Sequence, residues 1–335
     1  MNQELRTCQN CKQQFIIEPA DFKFYEKIQV PPPTFCPECR LQRRLAWKNA
    51  RSIYRRKCDL RGEEKIGVYS PDKPYKVYCA PCWWSDEWEA LEYGQDYDPS
   101  RSFFEQFAEL MHKVPLVNRF TYENTLVRSE YTNMSNDLKD CYLAFHCEFS
   151  ERCYYCEEID HTNDCMDVSF IGGSELCYES FDLQKCFRTF FSRECENCLD
   201  SYFLKNCIDC RSCFGCVNLR HKQYYVFNKS YTKEMYEKEL KRLGFDSCSY
   251  KKIQEFKQKA KKFQTHFPVK YMHSRHSTDV TGEYIVNSKN TFHAFNVNGA
   301  EDSKFLSSIR LPKAKDSYDW TIYGGNGELM YEILQ

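Results

Sequence analysis

Long apolar segments are missing from this 335-residue sequence. No run reaches the roughly 18 apolar residues that a membrane-spanning helix needs, and the first residues lack the apolar centre of a signal peptide. We therefore expect a cytoplasmic protein without a membrane partner. Thiols stay reduced in that compartment, so the 21 cysteines are interpreted as metal ligands and small buried residues, not as disulfides.

Common catalytic motifs are also missing. The sequence contains no Gly-rich phosphate loop, no His-Glu-x-x-His helix and no Gly-x-Ser-x-Gly elbow. His273 and His276 flank Arg275 in an expected loop, where two histidines are more typical of an ordinary surface. Parallel β-helices include glycan-cleaving enzymes, but those usually act outside the cell. These absences favour a protein that is not an enzyme.

Two closely spaced cysteine pairs lie near the start of the chain. Cys8 and Cys11 form one pair and Cys36 and Cys39 the other, with 24 residues between the pairs. Two such knuckles around a small β-hairpin predict a zinc ribbon with four thiolate ligands. Four protein ligands leave no position for water, so the expected ion is structural. It should supply much of the folding free energy of so short a segment.

The residues around these cysteines resemble a known family. The phrases Cys8-Gln-Asn-Cys-Lys, Phe24-Tyr-Glu-Lys and Phe35-Cys-Pro-Glu-Cys-Arg-Leu-Gln-Arg-Arg are similar to the probable-zinc-ribbon family of bacterial proteins. The later phrases Lys76-Val-Tyr-Cys and Asn218-Leu-Arg-His-Lys, with the cysteine repeats between them, resemble uncharacterised zinc-ribbon repeat proteins of small-genome candidate-phylum bacteria. The resemblance implies that Cys8, Cys11, Cys36 and Cys39 bind zinc, and it implies no activity.

Cysteine spacing changes along the chain and predicts a mainly β protein in five segments. These are a zinc ribbon with a basic helix (1–48), a small mixed α/β domain (49–127), a cysteine-rich β-solenoid (128–222), a helical insertion (223–280) and further solenoid repeats (281–335). The helices are expected at Pro99–Val114, Tyr231–Leu243 and Tyr250–Thr265. The last of these carries an apolar face with Phe256 and Ala260.

The solenoid is predicted from repetition. Cys141, Cys153, Cys165 and Cys177 are 12 residues apart, and the series continues at intervals of 9, 12 and 9 to Cys207. Two units would make a rung of about 21 residues in a parallel β-helix, with cysteine in an inward file and polar residues in turns. We expect no cap at Gln335, so the chain is a fragment, or a protein partner or self-association covers that end.

Two further cysteine groups are candidates for metal sites. Cys58, Cys79 and Cys82 could hold a second zinc, with Asp59, Asp86 or His112 considered as the fourth ligand. The alternative is that these cysteines pack beside tryptophans in a core. The run from Cys195 to Cys216 suggests an iron–sulfur site, but its last spacing differs from that of ferredoxins and it also continues the solenoid repeat.

A basic segment follows the ribbon. It has eight cations in 18 residues and no carboxylate: Arg40, Arg43, Arg44, Lys48, Arg51, Arg55, Arg56 and Lys57. Five of them would share one stripe of a continuous helix and could bind phosphates of RNA or DNA. Alternatively, the stripe pairs within the chain with the acidic segment 128–210, which has 7 Lys/Arg against 17 Asp/Glu.

Together these observations predict a non-enzymatic zinc-binding interaction protein that contacts nucleic acid through the ribbon and basic helix. A structural protein–protein scaffold is one alternative, and an iron–sulfur or redox protein is another.

Overall fold

The computed structural model describes residues 2–245, 249–311 and 313–334. The chain divides into two compact units. One unit combines Met1–Asn49 with Val269–Gln335, and the other consists of Ala50–Pro268. The two ends of the chain therefore fold together, a feature that the linear division of the sequence into segments did not include.

Helices are short in this structure, and strands dominate. The helices are α1 (Pro19–Lys27), α2 (Pro37–Leu45), α3 (Ala80–Trp83), α4 (Phe103–Lys113), α5 (Lys233–Leu243) and α6 (Tyr250–Gln264), with 3₁₀ turns at Ala90–Tyr93 and Glu123–Thr125. The strands up to the helical insertion are β1 (Glu4–Thr7), β2 (Gln14–Ile17), β3 (Tyr54–Lys57), β4 (Glu64–Gly67), β5 (Val77–Tyr78), β6 (Leu116–Val117), β7 (Leu126–Val127), β8 (Thr132–Asn133), β9 (Asn136–Lys139), β10 (Tyr142–Phe145), β11 (Glu148–Glu151), β12 (Tyr154–Asp160), β13 (Met166–Gly172), β14 (Tyr178–Gln184), β15 (Phe187–Phe190), β16 (Arg193–Glu196), β17 (Leu199–Tyr202), β18 (Arg211–Phe214), β19 (Gln223–Val226) and β20 (Lys229–Ser230). After it come β21 (Ser274–Arg275), β22 (Thr278–Val286), β23 (Lys289–Asn298), β24 (Ala300–Lys304), β25 (Ser307–Ile309), β26 (Ala314–Lys315), β27 (Tyr318–Tyr323), β28 (Gly327–Glu328) and β29 (Tyr331–Leu334). The predicted mainly β class is confirmed.

The first ribbon is a hairpin followed by two helices. Strands β1 and β2 pair antiparallel, with Thr7 opposite Gln14. Helix α1 begins after Glu18 with a reciprocal capping box that includes Asp21, and Pro19 occupies a first-turn position where no N–H is needed. Helix α2 begins in the same way, with Pro37 directly after Cys36. Local sequence signals therefore fix both helix starts.

The predicted basic helix is shorter than expected. Helix α2 ends at Leu45, and Tyr54–Lys57 forms strand β3, which pairs antiparallel with β4. The backbone of Arg55 and Arg56 is committed to this ladder, so these residues cannot continue a helix. The expectation of one continuous stripe from Arg40 to Arg55 is wrong.

Helix α4 also starts later than predicted, at Phe103 and not Pro99. The hydroxyl and backbone N–H of Ser100 both donate to the Asp98 carboxylate, at 2.6 and 2.9 Å. This local turn competes with the first helical turn. The Asp98-Pro99 signal therefore marks a turn that precedes the helix.

The strands of Ala50–Pro268 form mostly a parallel sheet of 14 strands, called here the Cys-rich sheet (β7–β20). Partners along it are 12 residues apart: Tyr142 lies opposite Tyr154, Tyr154 opposite Met166, and Met166 opposite Tyr178. The same interval continues to the pairing of Phe214 with Val226. The 12-residue interval between cysteines is therefore the interval between paired strands.

A three-residue repeat underlies this register. Every third residue from Leu138 to Cys216 is buried, and the residue before each has a positive φ, Gly173 and Gly215 included. The chain thus turns a left-handed corner after each pair of extended residues. Outside Gly, Asn and Asp this conformation costs on the order of 1 kcal/mol per residue, so the stacked ladders must offset it.

The predicted rung of about 21 residues is wrong for this reason. Because the inward positions recur every three residues, cysteines 12 apart stack in one file, whereas the nine-residue step from Cys177 to Cys186 moves to another file. Intervals of 9 and 12 are both multiples of three. They do not add up to one coil.

Helices α5 and α6 pack on the end of the Cys-rich sheet. Helix α5 ends at Gly244, whose φ of 71° is the left-handed cap that glycine favours. On α6, Phe256 and Ala260 are buried as predicted, and the Phe256 ring contacts those of Phe203 and Phe214. This aromatic cluster covers the last coils of the sheet.

Strands β21–β29 form a second, largely parallel sheet, called here the C-terminal sheet. Its register is less regular: Lys289 pairs with Glu301, but Lys304 pairs with Tyr318. A bulge lies at Gly282, where a Cβ atom would approach the Ala294 carbonyl oxygen to 1.8 Å, so only glycine fits. The core of this sheet contains aliphatic residues and Trp320 in place of cysteine.

Candidate metal centres

The four predicted ribbon cysteines come together. Cys8 follows β1, Cys11 lies in the hairpin turn, and Cys36 and Cys39 lie at the start of α2. Their Sγ atoms all lie within 4.8 Å of one another, and Cys11 is the only exposed member of this group. Such a quartet could hold a metal ion through four sulfur ligands.

Hydrogen bonds around the quartet favour thiolate at one position. Burial raises the pKa of Cys8, but backbone N–H groups of Cys36, Cys11 and Asn10 donate to its sulfur and lower the pKa to about 6. Burial raises the pKa of the Cys36 thiol well above its usual range. Asn10 also donates to the sulfur of Cys39 at 3.4 Å. The site therefore already stabilises one thiolate, the form that binds a metal.

The second candidate group is also assembled. The Sγ atoms of Cys58, Cys79 and Cys82 lie within 4.8 Å of one another, and all three residues are buried. Burial opposes ionisation of Cys58, but N–H groups of Cys79, Arg61 and Leu60 donate to its sulfur and lower its pKa. Burial raises the pKa of Cys82 to about 12. Trp83 and Trp88 pack beside this group, as the core alternative had suggested.

The three suggested fourth ligands do not join this group. Among the described residues, no carboxylate or imidazole lies within 4.8 Å of all three sulfurs. Asp59 instead accepts hydrogen bonds from the Val77 N–H at 2.7 Å and from Arg56 at 3.2 Å. The His112 ring stacks on Tyr75 with centroids 5.0 Å apart.

The cysteine run from Cys195 to Cys216 is part of the buried file. All six of its cysteines are buried in the core of the Cys-rich sheet. Their thiols donate along the backbone, as Cys207 does to the Lys205 carbonyl at 3.5 Å. In the described part of the chain, no three of these sulfurs lie within 4.8 Å of one another. The described cysteines are free thiols.

Two arginines of the basic segment are buried. Arg40 and Arg44 lie on the inner face of α2 and bind opposite oxygens of Asp319 in β27, at 2.8 and 3.1 Å. The Asp319 side chain is fully buried. Burial raises its pKa, and the two guanidinium groups oppose that shift. In this structure these two arginines fasten the ribbon to the C-terminal sheet and present no guanidinium to solvent.

The other predicted cations lie closer to the surface, and most have carboxylate partners. Arg43 pairs with Glu332, Arg51 with Glu157 at 2.9 Å, and Arg55 with Glu64 at 3.9 Å. Arg56 donates to Asp59 and to backbone carbonyls, and Lys48 also has an interaction within the protein. The intramolecular alternative for this segment therefore has structural support, mainly outside a common stripe.

Aromatic stacking strengthens the contact between α1 and the C-terminal sheet. The rings of Phe24 and Tyr318 stack at 3.9 Å with an interplanar angle of 7°. Nearby, the ammonium group of buried Lys304 donates to Asp21 at 2.9 Å and to Glu18 at 2.6 Å. A cavity of about 990 Å³ opens beside these residues, between α1 and the sheet. Its lining charges are largely paired, since Lys27 also binds Asp316 at 2.9 Å.

Sequence reasoning missed two important residues. Asp319 has no local signal, because its partners lie far away in the chain. Arg61 has one: Cys58-Asp-Leu-Arg-Gly has the same spacing as Cys8-Gln-Asn-Cys-Lys, with arginine in place of the second cysteine. Likewise, Tyr78-Cys-Ala-Pro-Cys resembles Phe35-Cys-Pro-Glu-Cys. The chain therefore contains a second ribbon-like segment with three of the four thiols.

No helix in the described part of the chain has the length and apolar character required to span a membrane. In comparisons with known proteins, no protein-family model matches the chain and no curated protein is significantly similar to it.

Proposed function

We propose that the protein is a zinc-stabilised, non-enzymatic interaction scaffold. Zinc suits the first quartet because it favours tetrahedral thiolate coordination, and four protein ligands make a closed, structural site. The two parallel sheets are proposed to be coils of one type of β-solenoid. Their 12-residue register and three-residue repeat support this proposal.

The observation that carries the proposal is the position of α2. Its first turn contributes Cys36 and Cys39 to the quartet, and its next turns contribute Arg40 and Arg44 to buried Asp319. A metal ion on the cysteines would therefore orient the same helix that bears the buried ion pairs. Structural zinc contributes on the order of 10 kcal/mol to the folding of small domains, enough to position this helix.

The test compares two cysteine substitutions in the full-length protein. Cys39→Ser should lose one zinc per chain, measured by elemental analysis after anaerobic purification, and should make Met1–Asn49 and Val269–Gln335 sensitive to protease. Cys141→Ser is the matched control, because Ser129 holds the equivalent inward position one coil earlier. Full zinc content and unchanged protease resistance in Cys39→Ser would overturn the structural role.

Contact with nucleic acid is the second candidate. It is favoured by the side chains of Arg51 and Arg55, which remain 59% and 62% exposed despite their partners. The test is retention of RNA and DNA at moderate salt by the wild type and by Arg51→Glu/Arg55→Glu. The double variant Lys113→Glu/Lys229→Glu is a charge-matched control at exposed sites. A scaffold predicts no retention by any of them, whereas loss specific to the arginine variant would support nucleic-acid binding.

A further inference from the structure

We propose that the second ribbon-like segment holds a metal ion on Cys58, Cys79 and Cys82 and leaves its fourth coordination position open to a ligand from solution. The first ribbon would then be a closed site and the second an open one. This inference does not depend on the scaffold role proposed above.

The two segments match residue for residue. In the first, Thr7 pairs with Gln14 and Glu4 with Ile17, whereas in the second Lys57 pairs with Glu64 and Tyr54 with Gly67. Each pair is shifted by 50 positions. Both second knuckles follow the same pattern, a cysteine directly before a short helix with another cysteine in its first turn. The hairpin and the helix start are therefore both duplicated.

The hydrogen bonds around the first thiol of each segment are also equivalent. The Cys36 N–H donates to the Cys8 sulfur at 3.2 Å, and the Cys79 N–H donates to the Cys58 sulfur at 3.3 Å. In the turns, Lys12 N–H donates to the Cys8 carbonyl, and Gly62 N–H to the Cys58 carbonyl. Both turn residues have positive φ, at 64° and 74°. The second segment therefore preserves the sulfur geometry of a four-ligand ribbon.

Arg61 stands at the position of the missing ligand. The register places it opposite Cys11, which is the exposed member of the first quartet. The gap in the second group therefore faces solvent, while its three thiols are buried. The Arg61 side chain does not fill the gap as a ligand, because a guanidinium has no acceptor atom and this one binds Glu87.

The chemistry of such a site differs from that of the first quartet. An ion with three protein ligands takes water or another donor in its fourth position, as open zinc sites do. One thiolate fewer also leaves the site with one negative charge fewer, and the nearby Arg61 cation reduces it further. A neutral or anionic donor can therefore approach, and zinc prefers nitrogen and sulfur donors. The expected ligand class is a small imidazole or thiol.

The first experiment counts metal ions in the full-length protein after anaerobic purification and loading with excess zinc. The wild type should hold two ions per chain, and Cys79→Ser should hold one. One ion in the wild type would overturn the proposal. Because Cys39→Ser reports on the first ribbon separately, failure here is distinct from failure of the structural role proposed for the first quartet.

The second experiment tests the open position with cobalt in place of zinc. Adding imidazole should change the visible spectrum of the cobalt-loaded wild type, because cobalt bands respond to their ligands. Arg61→Cys should abolish that change by restoring the fourth thiol, while Arg61→Lys, which adds no thiol, should retain it. An imidazole response that is absent from the wild type, or that persists in Arg61→Cys, would overturn the proposal.

Discussion

Asp319 is the residue on which the packing of the ribbon depends most. Its carboxylate is removed from water and receives Arg40 and Arg44 at its two oxygens. Burying three charges is costly, and only their mutual pairing offsets the loss of hydration. If one partner is removed, a charge is left buried without compensation. The cluster should therefore be intolerant of single substitutions.

We predict that Asp319→Asn destabilises the protein by about 3–5 kcal/mol, the usual cost of breaking a buried ion pair from one side. Urea unfolding of the zinc-loaded protein measures this loss. The control is Glu332→Gln, which removes the partner of half-exposed Arg43 and should cost no more than about 1 kcal/mol. Equal losses in the two variants would show that the buried cluster has no special role.

At the residue scale, the sequence revealed ligands better than it revealed partners. Cys8, Cys11, Cys36 and Cys39 could be identified because metal chelation requires thiols in short, recognisable pairs. Arg40 looked like a surface cation because its partner Asp319 is 279 positions away and nothing local indicates the contact. Burial of an arginine depends on tertiary packing, which composition and spacing do not encode.

Charged pairs join neighbouring coils of the Cys-rich sheet at its corners. Arg128 pairs with Asp140, Arg152 with Asp164, and Arg188 with Asp200, each pair 12 residues apart. Arg152 donates to both oxygens of Asp164. The hydrogen bond from Arg152 lowers the pKa of Asp164, and Arg128 does the same for Asp140. These contacts run along the stacking direction.

We predict a pH-dependent contribution from Asp164. Because its pKa is lowered in the folded state, its stabilising effect is present above the ordinary aspartate value of 3.8 and is lost as the pH falls through the lower folded value. Asp164→Asn should therefore lower the melting temperature at neutral pH and match the wild type in strong acid. Asp167→Asn, exposed on the same strand, is the control. A difference that persists unchanged in acid would contradict the prediction.

At the scale of elements, the sequence predicted the repeat but not its geometry. The interval between Cys141 and Cys153 is the true strand interval, because stacked inward positions favour the same small side chain. The corners could not be predicted, since residues such as Phe149 and Leu176 adopt positive φ against their own preference. Stacking imposes that conformation, and no single residue signals it.

The whole molecule consists of two units, one of which is built from both ends of the chain. In that unit the ribbon supplies Phe24 and Tyr25, whose rings meet Tyr318 and Tyr331 of the C-terminal sheet. These aromatic contacts accompany the buried ion pairs. The ribbon is therefore part of the packing of that sheet and not a separate module on a linker.

We predict that Phe24→Ala destabilises this unit by about 3–5 kcal/mol, as expected for loss of a buried aromatic ring. Hydrogen exchange should become faster in β27 and β29 and stay unchanged in the Cys-rich sheet, because the two units have separate cores. Phe104→Ala, at an exposed position, is the matched control. Faster exchange in both units would argue against separate cores.

The distance between the ribbon and its partner strand in the chain also has a consequence for biosynthesis. A ribosome makes Arg40 and Phe24 long before it makes Asp319, at roughly 5–20 residues per second. During that interval the inner face of α2 has no carboxylate to bind and α1 has no ring to stack on. Early capture of a metal ion by the nascent quartet would keep this segment folded until its partner strand emerges.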